Sequence, residues 1–166
     1  TDIAEQYFGF DAGKFPSLAI FYEDARTYLK KPHEKYDVVF MDTFGSSKGI
    51  PIHLTTVEMI ESIKENLKNK GHLFLNAHGA YAGEHARFAS ALYRTVREVF
   101  PHVSVYHLNN PPEDYQNLIF VASNDKEISD TLTSERFPET MLIKVSLPES
   151  EIILRDDFAP VERLMN

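Results

Sequence analysis

Cysteine is absent from the 166 residues, which removes disulfides, cysteine-ligated zinc and thiol catalysis together. No apolar run approaches the ~20 residues a membrane-spanning helix needs, and the N-terminal residues lack a secretory signal pattern. Positive charge is scarce: 17 Lys and Arg stand against 25 Asp and Glu, a net charge of −8. Nucleic-acid binders carry a basic patch or stripe, so no nucleic-acid partner is expected, whereas an acidic surface is compatible with cationic small molecules. Glycine is sparse as well. The seven glycines are scattered, and no G-x-G-x-x-G phosphate loop can be drawn from them. A cytoplasmic protein without a membrane segment is the expectation. At 43% hydrophobic residues the chain can bury one core, to roughly 68–70% of its unfolded surface.

Apolar periodicity then sets the elements. The opening TDIAEQYFGF reads as the last turns of a helix that stops near Gly9. SLAIFYED (17–24) reads as a buried strand, ARTYLKK as a short helix closed by Pro32, and YDVVFMD (36–42) as a second strand. TTVEMIESIKENLKNKG predicts a helix capped by Thr55 or Thr56, with Glu58 in its first turn and Gly71 as its stop. Val57, Ile60, Ile63 and Leu67 form its buried stripe. HLFLNAHG is a third strand, EHARFASALYRTVREVF a second long helix, and VSVYHLN and NLIFVAS two further strands. The alternation predicts an α/β fold: a mostly parallel sheet covered by helices, with an antiparallel pair at one edge. Residues 1–124 read as the main domain, and 125–166 as a C-terminal extension packed on it.

In its ordered motifs AEQYFG, YEDARTYLKK, YDVVFMDTFG, IPIHLTT, ENLKNKGHLFLN, REVFPHVSVYHL and ILRDDFAPVERL, the chain resembles the spermidine synthase family. That family belongs to the class I S-adenosylmethionine-dependent methyltransferase fold. The resemblance implies a three-layer, Rossmann-like sheet of seven strands in the order 3-2-1-4-5-7-6. It also implies that this chain begins after strand 2, as an N-terminally truncated part lacking the glycine-rich loop and the ribose-binding acid. The strand at 17–24 is then expected to slide in beside the strand at 36–42, or a second copy to supply the pairing, so a homo-oligomer, a dimer, is expected. An unpaired apolar edge is an association hazard.

The family's residues map onto a few positions. Asp24 and Ala25 match the pair that grips adenine in the family. Asp24 also suits the N-cap of the ARTYLKK helix, and both readings stand. Asp42, followed by Thr43, matches the first acid after strand 4, which faces the cleft between sulfonium cofactor and amine; a carboxylate there stabilises cations and accepts a proton. It reads equally as a cap on the backbone N–H groups of the following loop. Three residues on, the family's second acid, the base for the attacking amine, is replaced by Gly45, which puts the transfer in doubt. His53 is a candidate substitute base, its ordinary pKa of about 6.5 suiting the task, or a plain loop residue. His78, Glu84 and His85 lie within eight residues but lack the fixed i, i+4 spacing of H-E-x-x-H, so no metal is expected. Tyr81 and Glu84 are placed at the cleft, and Glu113, Asp114 and Tyr115 in a surface turn without chemistry. Asp156 and Asp157 are expected to organise the tail through backbone hydrogen bonds, with Phe158 and Pro160 pinning it to the body.

By this resemblance the function is aminopropyl transfer from decarboxylated S-adenosylmethionine to a cationic polyamine acceptor, impaired here. The candidate catalytic residues are Asp42 and His53, and the candidate cofactor-binding residues Asp24, Ala25, Asp42 and Thr43. Two alternatives remain: methyl transfer from S-adenosylmethionine, which does not always need a general base, and a non-catalytic assembly module.

Overall fold

A computed structural model describes residues 2–44, 50–107, 110–125, 131–133 and 141–165. Its centre is a six-stranded sheet. The strands are β1 (Tyr36–Met41), β2 (Leu67–Gly79), β3 (His102–His107), β4 (Gln116–Ser123), β5 (Thr131–Thr133) and β6 (Met141–Val145). They lie in the order β1-β2-β4-β3-β6-β5. The helices are α1 (Asp2–Phe8), α2 (Ala25–Leu29), α3 (Val57–Asn66), α4 (Arg87–Val99) and α5 (Val161–Leu164).

The first four strands reproduce the 4-5-7-6 order expected of the far half of the sheet. The expectation of a mostly parallel sheet is corrected. Among the described residues only β1 and β2 pair in parallel; β2 with β4, β3 with β4, β3 with β6 and β5 with β6 are antiparallel. Nor is the antiparallel pair at an edge. β4 lies inside, between β2 and β3, and β6 and β5 extend the sheet beyond β3.

Strict alternation in β2 explains where the core forms. Leu73, Leu75 and Ala77 face inward, and Leu118, Phe120 and Val105 continue that face across β4 and β3. Met59, Ile60 and Ile63 of α3 and Phe88, Leu92 and Val96 of α4 close over it in a single cluster. Both long helices thus share one face, and the three-layer expectation is not met among the described residues. The second face is bare toward β1, where Phe40 is 74% exposed, and closed toward β3 and β4, where Tyr106 and Val121 are buried.

Two predicted elements differ. Residues 17–24 form no strand and join no sheet ladder; Phe21 and Tyr22 are exposed. A strand is held by its ladder, and no ladder forms here, so the outer edge of β1 has no partner strand among the described residues. Second, α3 stops at Asn66 rather than Gly71. The Asn66 side chain donates to the Ser62 carbonyl (2.7 Å) and to the Leu29 carbonyl (3.1 Å), which ends the last turn. Leu67 then enters the ladder opposite Tyr36, and an irregularity follows, with Val38 opposite His72. Gly71 sits in that irregularity. A Cβ there would lie 3.0 Å from the Lys68 carbonyl oxygen and from a Leu67 methyl, so its small size serves a close approach, not a helix stop.

Other expectations hold. Thr56 caps α3, accepting from the Met59 N–H (3.4 Å), and Glu58 lies in the first turn. The first helix ends before Gly9, whose φ of 67° terminates it. At the other end of the chain, Leu154 is buried between α3 and α4. Its carbonyl accepts from the Val57 N–H (2.9 Å), and its N–H donates to Thr95 Oγ1 (2.8 Å), which itself donates to the Ala91 carbonyl (2.8 Å).

This linkage predicts a contrast within α4. Thr95→Val keeps the volume but strands the buried Leu154 N–H, and should destabilise by about 1–3 kcal/mol. Ser90, also buried, has no partner for its hydroxyl, so Ser90→Ala should leave stability unchanged or raise it. Urea denaturation midpoints of the two variants check this; equal losses would contradict the assignment.

Candidate functional site

Because β1 parallels β2, and β4 runs antiparallel to both β2 and β3, the C-terminal ends of β1, β2 and β3 meet at one edge of the sheet. Open α/β sheets bind ligands at such an edge. Asp42, Asn76, His78 and His107 stand along it, with Gln116 at the start of β4.

Asp42 follows the last residue of β1, and its Oδ1 accepts from the Asn76 side-chain amide (3.0 Å). The two line a shallow hollow of about 200 Å³ with Phe40, Phe74 and Ile119. Asn76 Oδ1 is buried there without a partner, which leaves an acceptor beside a carboxylate. A cation fits that pair. The loop amides proposed to hold Asp42, and Gly45 itself, lie outside the described residues in part or whole.

Ala25 and Thr43 share a different recess. Between α2 and β1 runs an apolar groove of about 250 Å³, walled by Ala25, Tyr28, Val38, Phe40, Thr43 and Met59. Thr43 Oγ1 is buried in it with no partner. Tyr28 and Tyr36 close one side hydroxyl to hydroxyl at 2.9 Å, and that bond, with burial, pushes the Tyr36 phenol up to about 12. Phe40 and Met41 belong to both recesses.

Asp24 and His53, read from separate motifs, are bonded to each other. Asp24 Oδ1 accepts from the Thr27 N–H at 3.0 Å, so the capping role is present, while Oδ2 lies 2.9 Å from His53 Nε2. His53 sits in a short 3₁₀ turn, Ile52–Leu54. The imidazole contact, then the Thr27 amide, hold the Asp24 carboxyl below its ordinary value. With both oxygens engaged, an adenine amine would have to share Oδ2 with His53.

Arg26 was not singled out from sequence, yet it ties the site to the tail. Its guanidinium forms a two-pronged pair with Asp156 and reaches the His53 carbonyl (3.4 Å). Asp156 Oδ1 also accepts from Thr56 Oγ1 (2.7 Å), and the Asp156 N–H donates to Glu58 (3.1 Å). Asp156 therefore works chiefly through its side chain, not through the backbone bonds expected. Phe158 does not pin the tail; it is 59% exposed, and its backbone closes a tight turn with Arg155 instead. Arg26 draws the Asp156 carboxyl below its usual range, and Asp156 in turn raises the guanidinium.

At the far end of the edge, Tyr115 lies against both His78 and His85, and its hydroxyl donates to the Met165 carbonyl (2.7 Å). Tyr81 packs on the buried His107. Glu84 and His85 occupy a 3₁₀ turn leading into α4. Among the described residues no three His, Asp or Glu side chains converge on one point. The role of Tyr115 was missed because a turn composition says nothing about packing. The alternation of β2, which puts Asn76 and His78 on the face of Phe74, was the signal available for those two.

A profile of the spermine/spermidine synthase domain matches residues 2–134. The chain belongs to the spermine/spermidine synthase family. It is 28% identical over 116 residues to a polyamine aminopropyltransferase of Clostridium perfringens, covering 67% of this chain and 40% of that protein. With the polyamine aminopropyltransferase of Alkaliphilus oremlandii it shares 26% over 141 residues, 81% of this chain and 48% of the relative. The chain thus spans less than half the length of these curated relatives. A crystal structure of a probable spermidine synthase from Corynebacterium glutamicum superposes with a TM-score of 0.61 at 24% identity, covering 78% of this chain and 45% of that one. A spermidine synthase in complex with the transition state analogue AdoDATO gives 0.59 at 21%, covering 74% and 42%. These likenesses show the spermidine synthase fold. No described helix is long and apolar enough to cross a membrane.

Acid should loosen the tail of this family member. The Asp24 and Asp156 carboxyls are both depressed in the folded chain. Their stabilising contribution is complete above the ordinary value of about 3.9 and disappears as pH falls through the lower folded values. Asp156→Asn should therefore melt below the parent at pH 7, and the gap should shrink as pH drops below about 3.9. Thermal midpoints over that range test it; a constant gap contradicts it.

Proposed function

We propose that this chain contributes a donor-nucleoside groove and an amine-facing carboxylate to aminopropyl transfer from decarboxylated S-adenosylmethionine to a polyamine. The observation that carries the reading is the groove between α2 and β1, where Ala25 and Thr43 meet with a buried, unpartnered Thr43 hydroxyl. Family membership and polyamine aminopropyltransferase relatives support it.

The residues present fit such a donor in part. The apolar walls suit a purine face, the Thr43 hydroxyl supplies an unused polar contact, and Asp42 with Asn76 offers negative potential for cationic groups. When bound, the donor would supply an electrophilic propyl carbon on its sulfonium sulfur: the amine nitrogen bonds to that carbon, the carbon–sulfur bond breaks, and the nucleoside leaves as the thioether. Asp42 holds the positive groups together and orients the amine. An amine attacks only when neutral, and a positioned base contributes roughly 10²–10⁴-fold. Gly45 cannot serve as that base. His53 is the proposed substitute: with Nε2 directed to Asp24, its Nδ1 carries the lone pair that takes the proton. Transfer by this chain is accordingly impaired. Gly45 also favours a second reading, methyl transfer from S-adenosylmethionine to an acceptor that needs no base.

We also propose that the chain self-associates through β1, whose outer edge lacks a strand partner among the described residues and carries exposed Val38 and Phe40. Sedimentation should find a dimer that Val38→Lys with Phe40→Glu converts to monomer; a parent chain that is already monomeric overturns this.

The nucleoside reading is tested with 5′-methylthioadenosine, the thioether product. At 100 times its dissociation constant it should stabilise the chain by about 2.7 kcal/mol, and Thr43→Val and Asp24→Ala should each cut that shift. No shift in the parent chain rejects the reading and favours a non-catalytic assembly module. Product analysis with decarboxylated and ordinary S-adenosylmethionine separates aminopropyl from methyl transfer.

A further inference from the structure

Away from the strand-end cleft, a pocket of about 130 Å³ opens where α4 begins. Its walls are Gly83, Ala86, Arg87 and Ser90 on one side and Glu149 and Ser150 of the C-terminal segment on the other, with apolar side chains between them. Three features there have no role in the fold or in the proposed transfer. Ser90 is one of the residues lining the pocket; it is 3% exposed, and its buried hydroxyl has no partner. A serine inside a helix ordinarily bonds a carbonyl one turn back or points to water; this one does neither. Arg87 is exposed and has no ion pair or hydrogen bond among the described residues. The first turn of α4 contains no acidic residue and no side-chain cap.

These features point the same way. The start of a 13-residue helix carries partial positive charge from aligned peptide dipoles, and Glu84 of the preceding 3₁₀ turn is the acid that adjoins this end. A buried hydroxyl can donate one hydrogen bond, and a free guanidinium can donate two to a single oxyanion. A cation is disfavoured by Arg87 and the helix end, and a purely apolar ligand would leave the Ser90 hydroxyl stranded at a cost. We propose that this pocket is a binding site for a small tetrahedral oxyanion, a phosphate or sulfate group, held by Ser90 Oγ and the Arg87 guanidinium. Glu149 is the one acidic wall. Its carboxylate opposes an anion and keeps the site weak, so occupancy responds to concentration rather than being permanent. Because the pocket joins α4 to the segment before Ile152, filling it should tighten the attachment of the C-terminal segment.

Inorganic phosphate is the probe, titrated into the intact chain against sodium chloride of matched ionic strength, with binding read by calorimetry and by thermal midpoint. The midpoint should rise with phosphate and sulfate and not with chloride. Arg87→Gln and Ser90→Ala should each weaken phosphate by about tenfold or more, the loss expected for one charge-assisted hydrogen bond. Glu149→Gln should strengthen it by a similar factor. Since Ser90→Ala should not harm folding, its calorimetric loss reports on the site and not on stability. A response to phosphate no larger than to chloride would overturn the proposal, as would affinities unaltered in all three variants. An acetate response equal to that of phosphate would overturn the tetrahedral assignment. A phosphate ester that binds no better than inorganic phosphate assigns the site to the free ion, and a tighter one to a phosphorylated small molecule.

Discussion

Leu73, Leu75 and Ala77 project from one side of β2 into a space closed by α3 and α4, and β2 is the strand paired in parallel on one flank and antiparallel on the other. That placement constrains everything else. Parallel pairing with β1 demands a crossover, which α3 supplies. Antiparallel pairing with β4 obliges β3 to lie outside β4, so the second crossover, α4, must pass over the same face. A slip of one residue in β2 would turn its leucines outward and its His72, Phe74, Asn76 and His78 inward. Burying one face of this strand therefore determines the direction of three strands at once, and with it the edge at which their ends gather.

The same constraint leaves the other face of β2 polar at one end and aromatic at the other. Phe40 and Phe74 stack on it, and Asn76 beside them turns its amide to Asp42. Apolar surface next to a carboxylate is an arrangement that recognises a cation with a hydrocarbon body. Exposed apolar side chains lie on β1 and on the residues before α2, among them Phe15, Phe21, Val38 and Phe40, and β1 is also the strand whose outer edge has no partner among the described residues.

The core was legible from sequence because its signals are periodic. Val57, Ile60 and Ile63, and Phe88, Leu92 and Val96, are read off helical spacing without reference to anything distant. Order among strands was legible only through the family resemblance, since no local pattern states which strands pair. Two errors have one cause. SLAIFYED has the composition of a strand, and LKNKG that of a helix end, but strand or helix is decided there by partners: the first finds no ladder, and in the second Tyr36 draws Leu67 into one. At the site, Ala25, Asp42 and Thr43 were named from motifs, yet their division between two recesses was not visible, nor was the bond of Asp24 to His53, nor Arg26, whose importance comes from Asp156, 130 residues away.

Asp24 shows how one carboxylate limits what the site can do. Oδ1 is committed to the α2 cap, where it accepts from the Thr27 N–H. Oδ2 is left to choose between an imidazole and a ligand amine. A nucleoside that takes Oδ2 releases His53; while His53 keeps Oδ2, the imidazole is held in the tautomer that exposes Nδ1. If Asp24 grips a purine, His53 loses the group that orients it, and its value as a base falls when the donor arrives. The two roles assigned from separate motifs are therefore antagonistic in this geometry, unless bound nucleoside contacts Asp24 through Oδ1 and gives up the cap. Either resolution raises the energy of the loaded state relative to a site with a second acid after Asp42, and Gly45 is where that acid would have stood.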